Sequence, residues 1–179
     1  MSNNLRRGIA VAIAISLAVS GFAVVKQSRA EPEKGSAKPM RIGVIGAGAL
    51  GGTVGRVLVK AGHEVKFSSR HPEELAAMVP ALGPRASVGT PREAAEFGTV
   101  LLFAVPYEAL PELGRDLKDD IRGKVVLDAC NASSNTDSAL VRELQANGAG
   151  LTSAKLLPDT RLVRAFSAVG WGWGGRWSS

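Results

Sequence analysis

Cysteine is almost missing from this 179-residue chain: Cys130 stands alone, so no internal disulfide can form. The fold must hold together without staples, and Cys130 reads as a small buried hydrophobe. Histidine is scarce as well, with only His63 and His71. His63 opens an apolar run and His71 precedes Pro72 at the head of a helical pattern. Neither has the neighbours of a catalytic or metal-ligating histidine, so no metal site is expected. Basic stretches interleaved with aromatics, the footprint of nucleic-acid binding, are absent too. The formal charge is +6, but Arg6, Arg7, Lys26 and Arg29 lie in the first thirty residues, which hold no acid; the other 18 Lys and Arg stand against 16 acids, or +2. That balance argues against nucleic acid as a partner.

No apolar run reaches the roughly twenty residues of a comfortable membrane span. The longest runs from Ile9 to Val25, between the basic pair Arg6-Arg7 and the small residues of Ser28-Arg29-Ala30. Basic head, apolar middle and small-residue end together read as an export signal over residues 1–30, cleaved after Ala30. The mature chain would then be exported, periplasmic or extracytoplasmic. A retained membrane segment through residues 9–25 is the alternative, and translation from Met40 a third. The Arg6-Arg7 pair partly matches a twin-arginine signal, with Leu5 before it and Gly8-Ile9-Ala10 after. Residues 31–39, EPEKGSAKP, read as a linker. Residues 40–170 then form one domain, and 171–179 a Trp/Gly-rich tail with neither helical nor strand periodicity. At 45% hydrophobic and 21% charged residues, with 21 glycines, the composition is that of a globular α/β protein.

Glycine is plentiful at one place. In MRIGVIGAGALGGTVG, the β-branched run Met40 to Ile45 reads as a buried parallel strand that stops at Gly46. Gly46, Gly48 and Gly51 give G-x-G-x-x-G, and Leu50, Val54, Val57 and Leu58 then recur at helical spacing. In a strand–turn–helix context this spacing points to dinucleotide binding, with a merely tight βα turn as the alternative. Gly46 would turn the chain out of the strand, Gly48 would admit a pyrophosphate, and Gly51 would let the helix lie close on the sheet. The N–H groups around Ala47, Ala49 and Leu50 would face the phosphates.

His63 to Phe67 reads as the second strand. Its end, where an NAD site usually places an acid for the ribose 2′-hydroxyl, carries Ser68-Ser69-Arg70. A hydroxyl and a guanidinium at Ser69 and Arg70 suit a 2′-phosphate, so NADP(H) is the expected cofactor. An ordinary solvated arginine at a turn is the bland alternative. Further on, Pro72–Val79, Pro91–Phe97, Glu108–Leu117, Asp137–Asn147 and Ser153–Leu157 read as helices. Ala86–Gly89, Thr99–Ala104, Lys124–Asp128 and Arg161–Ala168 read as strands. This alternation predicts a Rossmann-like, doubly wound parallel sheet with helices on both faces. The ligand would cross the carboxyl ends of the strands, placing Ala104, Val105, Pro106 and Asn131 on the same edge as the glycine turn.

The runs RIGVIGAGALGGTVGRVLVKAGHEVKFSSR, LLFAVPYEAL, VVLDACN and LVRAFSAVG resemble the NADP oxidoreductase family dependent on coenzyme F420, a deazaflavin. The reductase domain of membrane metalloreductases is similar, and pyrroline-carboxylate reductases are so more distantly. The resemblance covers about Met40 to Gly170. It implies that the glycine loop holds the pyrophosphate, that Ser69 and Arg70 hold the 2′-phosphate, and that Ala104-Val105-Pro106 passes the nicotinamide half. The implied chemistry is hydride transfer between NADPH and a small redox acceptor, with the deazaflavin as a candidate second substrate; a homo-oligomer is a candidate assembly. Two departures stand out. Relatives continue past the sixth strand where this chain has Trp171 to Ser179, which implies a C-terminally truncated pocket for the acceptor. Ser167 also stands where relatives have Asn. A non-catalytic NADP-binding module that needs a partner is therefore the alternative function.

Overall fold

A computed structural model describes residues 38–132 and 138–166, which belong to the larger of two units, 37–179. The export signal, most of the linker, Ser167 and the Trp/Gly tail lie outside the described residues.

Strand β1 (Arg41–Ile45) is buried from Ile42 onward and feeds through the glycine turn into helix α1 (Ala49–Lys60). Strand β2 (Glu64–Ser68) follows, then two single 3-10 turns, Pro72–Leu75 and Pro80–Leu82, before β3 (Ala86–Gly89). Helix α2 (Pro91–Phe97) leads to β4 (Val100–Phe103). A 3-10 turn at Tyr107–Ala109 opens α3 (Leu110–Asp116), which is followed by the single turn α4 (Lys118–Ile121). Strand β5 (Val125–Asp128), helix α5 (Ser138–Leu156) and strand β6 (Arg161–Arg164) complete the described elements.

The six strands among the described residues form one sheet in the order β3-β2-β1-β4-β5-β6, every neighbouring pair parallel. The doubly wound α/β reading of the sequence therefore holds. Alternate residues along each strand supply opposite faces, as the strand period of two requires. Ile45, Leu101, Phe103 and Val126 pack with α2, α3 and α5 residues on one side. Val44, Val65, Phe67 and Leu102 pack beneath Leu50, Val54 and Leu58 of α1 on the other. The chain leaves β1 toward β2 on one side and enters β4 on the other. The carboxyl ends of β1 and β4 thus flank the point where the winding reverses, which is where open α/β sheets bind ligands.

Two helical readings need correction. Pro72–Val79 is not an α-helix: only Pro72–Leu75 form a turn, of 3-10 type, and the chain turns again at Pro80. An eight-residue helix gains little from propensity alone, and Pro80 lacks the N–H needed to continue it. The helix expected over Glu108–Leu117 begins as a 3-10 turn at Tyr107 and becomes α-helical only from Leu110. The two helices expected on either side of Gly148 do abut, joined within α5 at Gly148, which has φ 74° and ψ 160° and breaks the helical path.

Among the described residues, no helix is long and apolar enough to cross a membrane. None of their His, Cys, Asp and Glu side chains form a group of three or more suited to a metal ion.

Candidate dinucleotide site

Hydrogen bonds between the strand ends build the carboxyl edge of the sheet. The N–H groups of Gly46 and Ala47 donate to the Ser68 carbonyl at 3.2 and 2.8 Å, and Ala104 N–H donates to the Ile45 carbonyl at 2.9 Å. Ala129 N–H donates to the Phe103 carbonyl and Ala165 N–H to the Asp128 carbonyl, both at 2.9 Å. The loops after β2, β1, β4, β5 and β6 are therefore laced side by side, in that lateral order. All of the expected site residues lie along this line.

The glycine turn sits at its centre. Gly46 has φ +94°, a conformation L side chains rarely adopt, and a methyl there would approach the Ala104 carbonyl oxygen and Val105 Cγ1 to 2.6 Å. A methyl on Gly51 would collide with the Gly46 carbonyl oxygen, so Gly51 packs the helix onto the turn itself. Contact with the sheet falls to Gly55, where a methyl would strike the Phe67 ring. Sequence reasoning gave that role to Gly51 and overlooked Gly55, although both belong to the same glycine run. Gly48 differs from all of these. It is exposed, and nothing lies within 4 Å of where its side chain would project.

Gly48 also serves as N-cap of α1 without any side-chain cap, and no acid occupies the first turn. The opening N–H groups of the helix, at Ala49, Leu50 and Gly51, have no intrahelical acceptor in such a turn. They carry the positive end of the helix dipole, which favours an anion. Ala49 is exposed, while Ala47 and Leu50 are half-buried.

At the end of β2, three neighbouring residues have three different fates. Ser68 is fully buried, and its hydroxyl donates to the Val44 carbonyl at 2.7 Å. Ser69 is half-buried and its Oγ accepts from the His71 N–H at 3.1 Å. Arg70 is exposed, and among the described residues its guanidinium makes no hydrogen bond or ion pair. His71 lies beside Glu73, with Nδ1 and Oε1 3.3 Å apart on the surface. His63 is buried, its Nδ1 accepting from Met40 N–H at 3.2 Å. His63 is thus engaged beside the start of β1, and His71 stands on the surface in the loop after β2.

Beyond the glycine turn, Ala104 and Val105 are half-buried and Pro106 is exposed. Tyr107 turns inward, is wholly buried, and shares a 2.9 Å hydrogen bond with Ser153 Oγ on α5. Burial raises the pKa of its phenol above the ordinary value, so it stays neutral. After β5, Asn131 is half-buried and its Oδ1 accepts from Arg164 Nη2 at 3.2 Å. Arg164 is the hub of a cluster that sequence reasoning missed. Its Nη1 reaches Asp128 Oδ2 at 2.6 Å and the Cys130 carbonyl at 2.7 Å. Asp128 is completely buried and its other oxygen accepts from Cys130 N–H at 2.9 Å. The sequence pattern runs the last strand on to Ala168 and puts Arg164 in its middle, whereas the strand ends at Arg164. Strands β5 and β6 are neighbours, and Asp128 faces Arg164 in register. Burial first, and then the Asp128 charge, push the Cys130 thiol far above its usual range, so it is inert as a nucleophile.

The edge therefore offers an open glycine turn, uncapped helix N–H groups and an unpaired guanidinium, with no carboxylate at the end of β2. A pyrophosphate and a 2′-phosphate fit these donors, and the residues present suit NADP(H).

Comparison with known proteins agrees with this chemistry. A family model described as "NADP oxidoreductase coenzyme F420-dependent" matches residues 41–132. The metalloreductase STEAP3 of Rattus norvegicus is 30% identical over 129 residues, which is 72% of this chain and 25% of that protein. A crystal structure from Arthrobacter sp. FB24, named as a candidate F420-dependent NADP reductase, superposes with a TM-score of 0.53 at 21% identity. A hypothetical protein from Sinorhizobium meliloti gives 0.59 at 23% identity. In both structures the match covers 72% of this chain and 62% of the other. These two likenesses establish the fold. The chain spans a quarter of the metalloreductase and less than two thirds of either structure.

Proposed function

Since the chain belongs to the family of coenzyme F420-dependent NADP oxidoreductases, we propose that it binds NADPH along the carboxyl edge of its sheet and passes hydride to a small redox acceptor, with a deazaflavin as the first candidate. The observation that carries this reading is the pairing of two sites. An open, uncapped helix start follows the glycine turn, and an unpartnered Arg70 stands next door at the end of β2. Gly46, Ala47, Gly48, Ala49, Leu50 and Gly51 would hold the pyrophosphate. Ser69 and Arg70 would hold the 2′-phosphate, a dianion that an acid at this position would repel. Ala104, Val105, Pro106 and Asn131 would flank the nicotinamide half.

When bound, NADPH would supply a hydride, which carries both electrons; the residues of the chain supply binding and orientation. Ala104 and Val105 are half-buried and would form one wall of the site. Neither the inert Cys130 thiol nor the buried Tyr107 phenol is placed to exchange a proton there. Catalysis would then rest on holding donor and acceptor close, which is a large part of the barrier reduction for a two-substrate reaction. The metalloreductase likeness adds metal-chelate acceptors to the candidates.

The test is acceptor-dependent loss of NADPH absorbance with deazaflavin, flavin and ferric-chelate acceptors, alongside NADPH binding measured alone. Oxidation above the acceptor-free rate supports a reductase. Binding without turnover supports the alternative, an NADP-binding module that works with a partner. No binding contradicts both.

A further inference from the structure

The Asp128–Arg164–Asn131 chain lies on the side of the edge opposite Arg70, across the glycine turn and the β4 loop. A dinucleotide laid along this edge with its 2′-phosphate at Arg70 and its pyrophosphate at the helix start must bring its nicotinamide riboside toward the ends of β4 and β5. Asn131 stands there, three residues past the end of β5. An asparagine amide has an oxygen that only accepts and an NH2 that only donates. A guanidinium has donors alone, so Arg164 Nη2 can engage only the oxygen, which fixes which arm of the amide is turned which way. Among the described residues the NH2 arm has no hydrogen-bond partner. Arg164 is itself held by the fully buried Asp128 carboxylate and by the Cys130 carbonyl, and is only 20% exposed.

We infer that Arg164 is a positioning residue: with Asp128 behind it, it orients the Asn131 amide so that the NH2 is offered as a donor to an oxygen of the nicotinamide riboside. The inference deepens the proposed NADPH site and rests on it. A guanidinium fork is suited to the task, because it can serve a carboxylate, a carbonyl and an amide oxygen together from one rigid plane.

The discriminating variant is Asn131→Asp. A carboxylate keeps, and strengthens, the bond from Arg164, but it places an acceptor where the NH2 stood. Binding of NADPH and of 2′,5′-ADP, which contains the adenosine and 2′-phosphate but no nicotinamide, is measured with the full chain, together with the thermal midpoint. The expected result is NADPH affinity reduced about tenfold, the scale of one lost hydrogen bond. Affinity for 2′,5′-ADP is unchanged and the midpoint is equal or higher. Arg164→Lys, which keeps a positive charge beside Asp128 but cannot span all three acceptors, should shift NADPH the same way and spare 2′,5′-ADP. Wild-type NADPH affinity in Asn131→Asp, with 2′,5′-ADP still bound, would overturn this inference alone, as would equal losses of both ligands. A wild-type chain that binds neither ligand would overturn the NADPH site itself, and this inference with it.

Discussion

Gly48 and Gly55 lie two turns apart at the start and middle of α1, yet a side chain would do opposite things at the two positions. At Gly48 it would project into open space, over the place where a pyrophosphate would approach; at Gly55 it would run into the buried Phe67 ring. Gly48→Val is therefore expected to weaken NADPH and NADH alike by more than tenfold, with a modest stability loss of about 1 kcal/mol from a poorer N-cap. Gly55→Val should destabilise the fold by about 1–3 kcal/mol through overpacking, and any binding loss should follow the unfolded fraction. Titration calorimetry and denaturant melts on the two variants check this; a Gly48→Val chain that binds normally would remove the turn from the site. The motif spacing made Gly46, Gly48 and Gly51 legible in the sequence. The division of labour among them was not, because it depends on which neighbour each Cα meets across the turn. Gly55 lies outside the motif and only the packed Phe67 reveals its task.

At the scale of elements, α2 is pinned at both ends. Thr90 Oγ1 accepts from Glu93 N–H at 3.2 Å, and a Glu93 carboxylate oxygen accepts from Thr90 N–H at 2.7 Å, a reciprocal capping box. At the other end Lys124 Nζ donates to the carbonyls of Ala95 and Glu96. The hydrogen bond from the Thr90 backbone lowers the Glu93 pKa below its ordinary value. A lowered folded pKa means that the unfolded chain binds more protons in the window just below pH 4.5 or so. This contribution is fully present above that window and is lost as the pH falls through the folded value. Glu93→Gln, which can still accept from Thr90 N–H but carries no charge, should therefore lose less of its melting midpoint than the wild type between neutral pH and about pH 3. Parallel acid limbs for the two proteins would show that the carboxylate charge contributes nothing. The Thr-x-x-Glu spacing that builds this cap is visible in the sequence. The failed helix over Pro72–Val79 shows the converse: acids and a proline at the start were present, but Pro80 and the brevity of the segment decided the outcome.

Across the whole molecule, the doubly wound parallel sheet was legible because six apolar runs alternate with helical segments and a glycine turn marks the first crossover. What stayed hidden was the far side of the edge. Asp128 and Arg164 are separated by 36 positions, and no local pattern announces that β5 and β6 pair with those two residues in register. The functional account runs along that edge, from Arg70 through the glycine turn to Asn131, and its central claim is that this edge reads NADP(H) through Arg70. The most direct measurement is titration of NADPH and NADH into the full 179-residue chain and into Arg70→Ala. A charge-assisted hydrogen bond to the 2′-phosphate contributes about 1.5–3 kcal/mol, or roughly one to two orders of magnitude in affinity. The account predicts NADPH bound tighter than NADH by that margin in the wild type, and in Arg70→Ala a loss confined to NADPH. Equal affinities in the wild type, or equal losses for both cofactors in the variant, would contradict it.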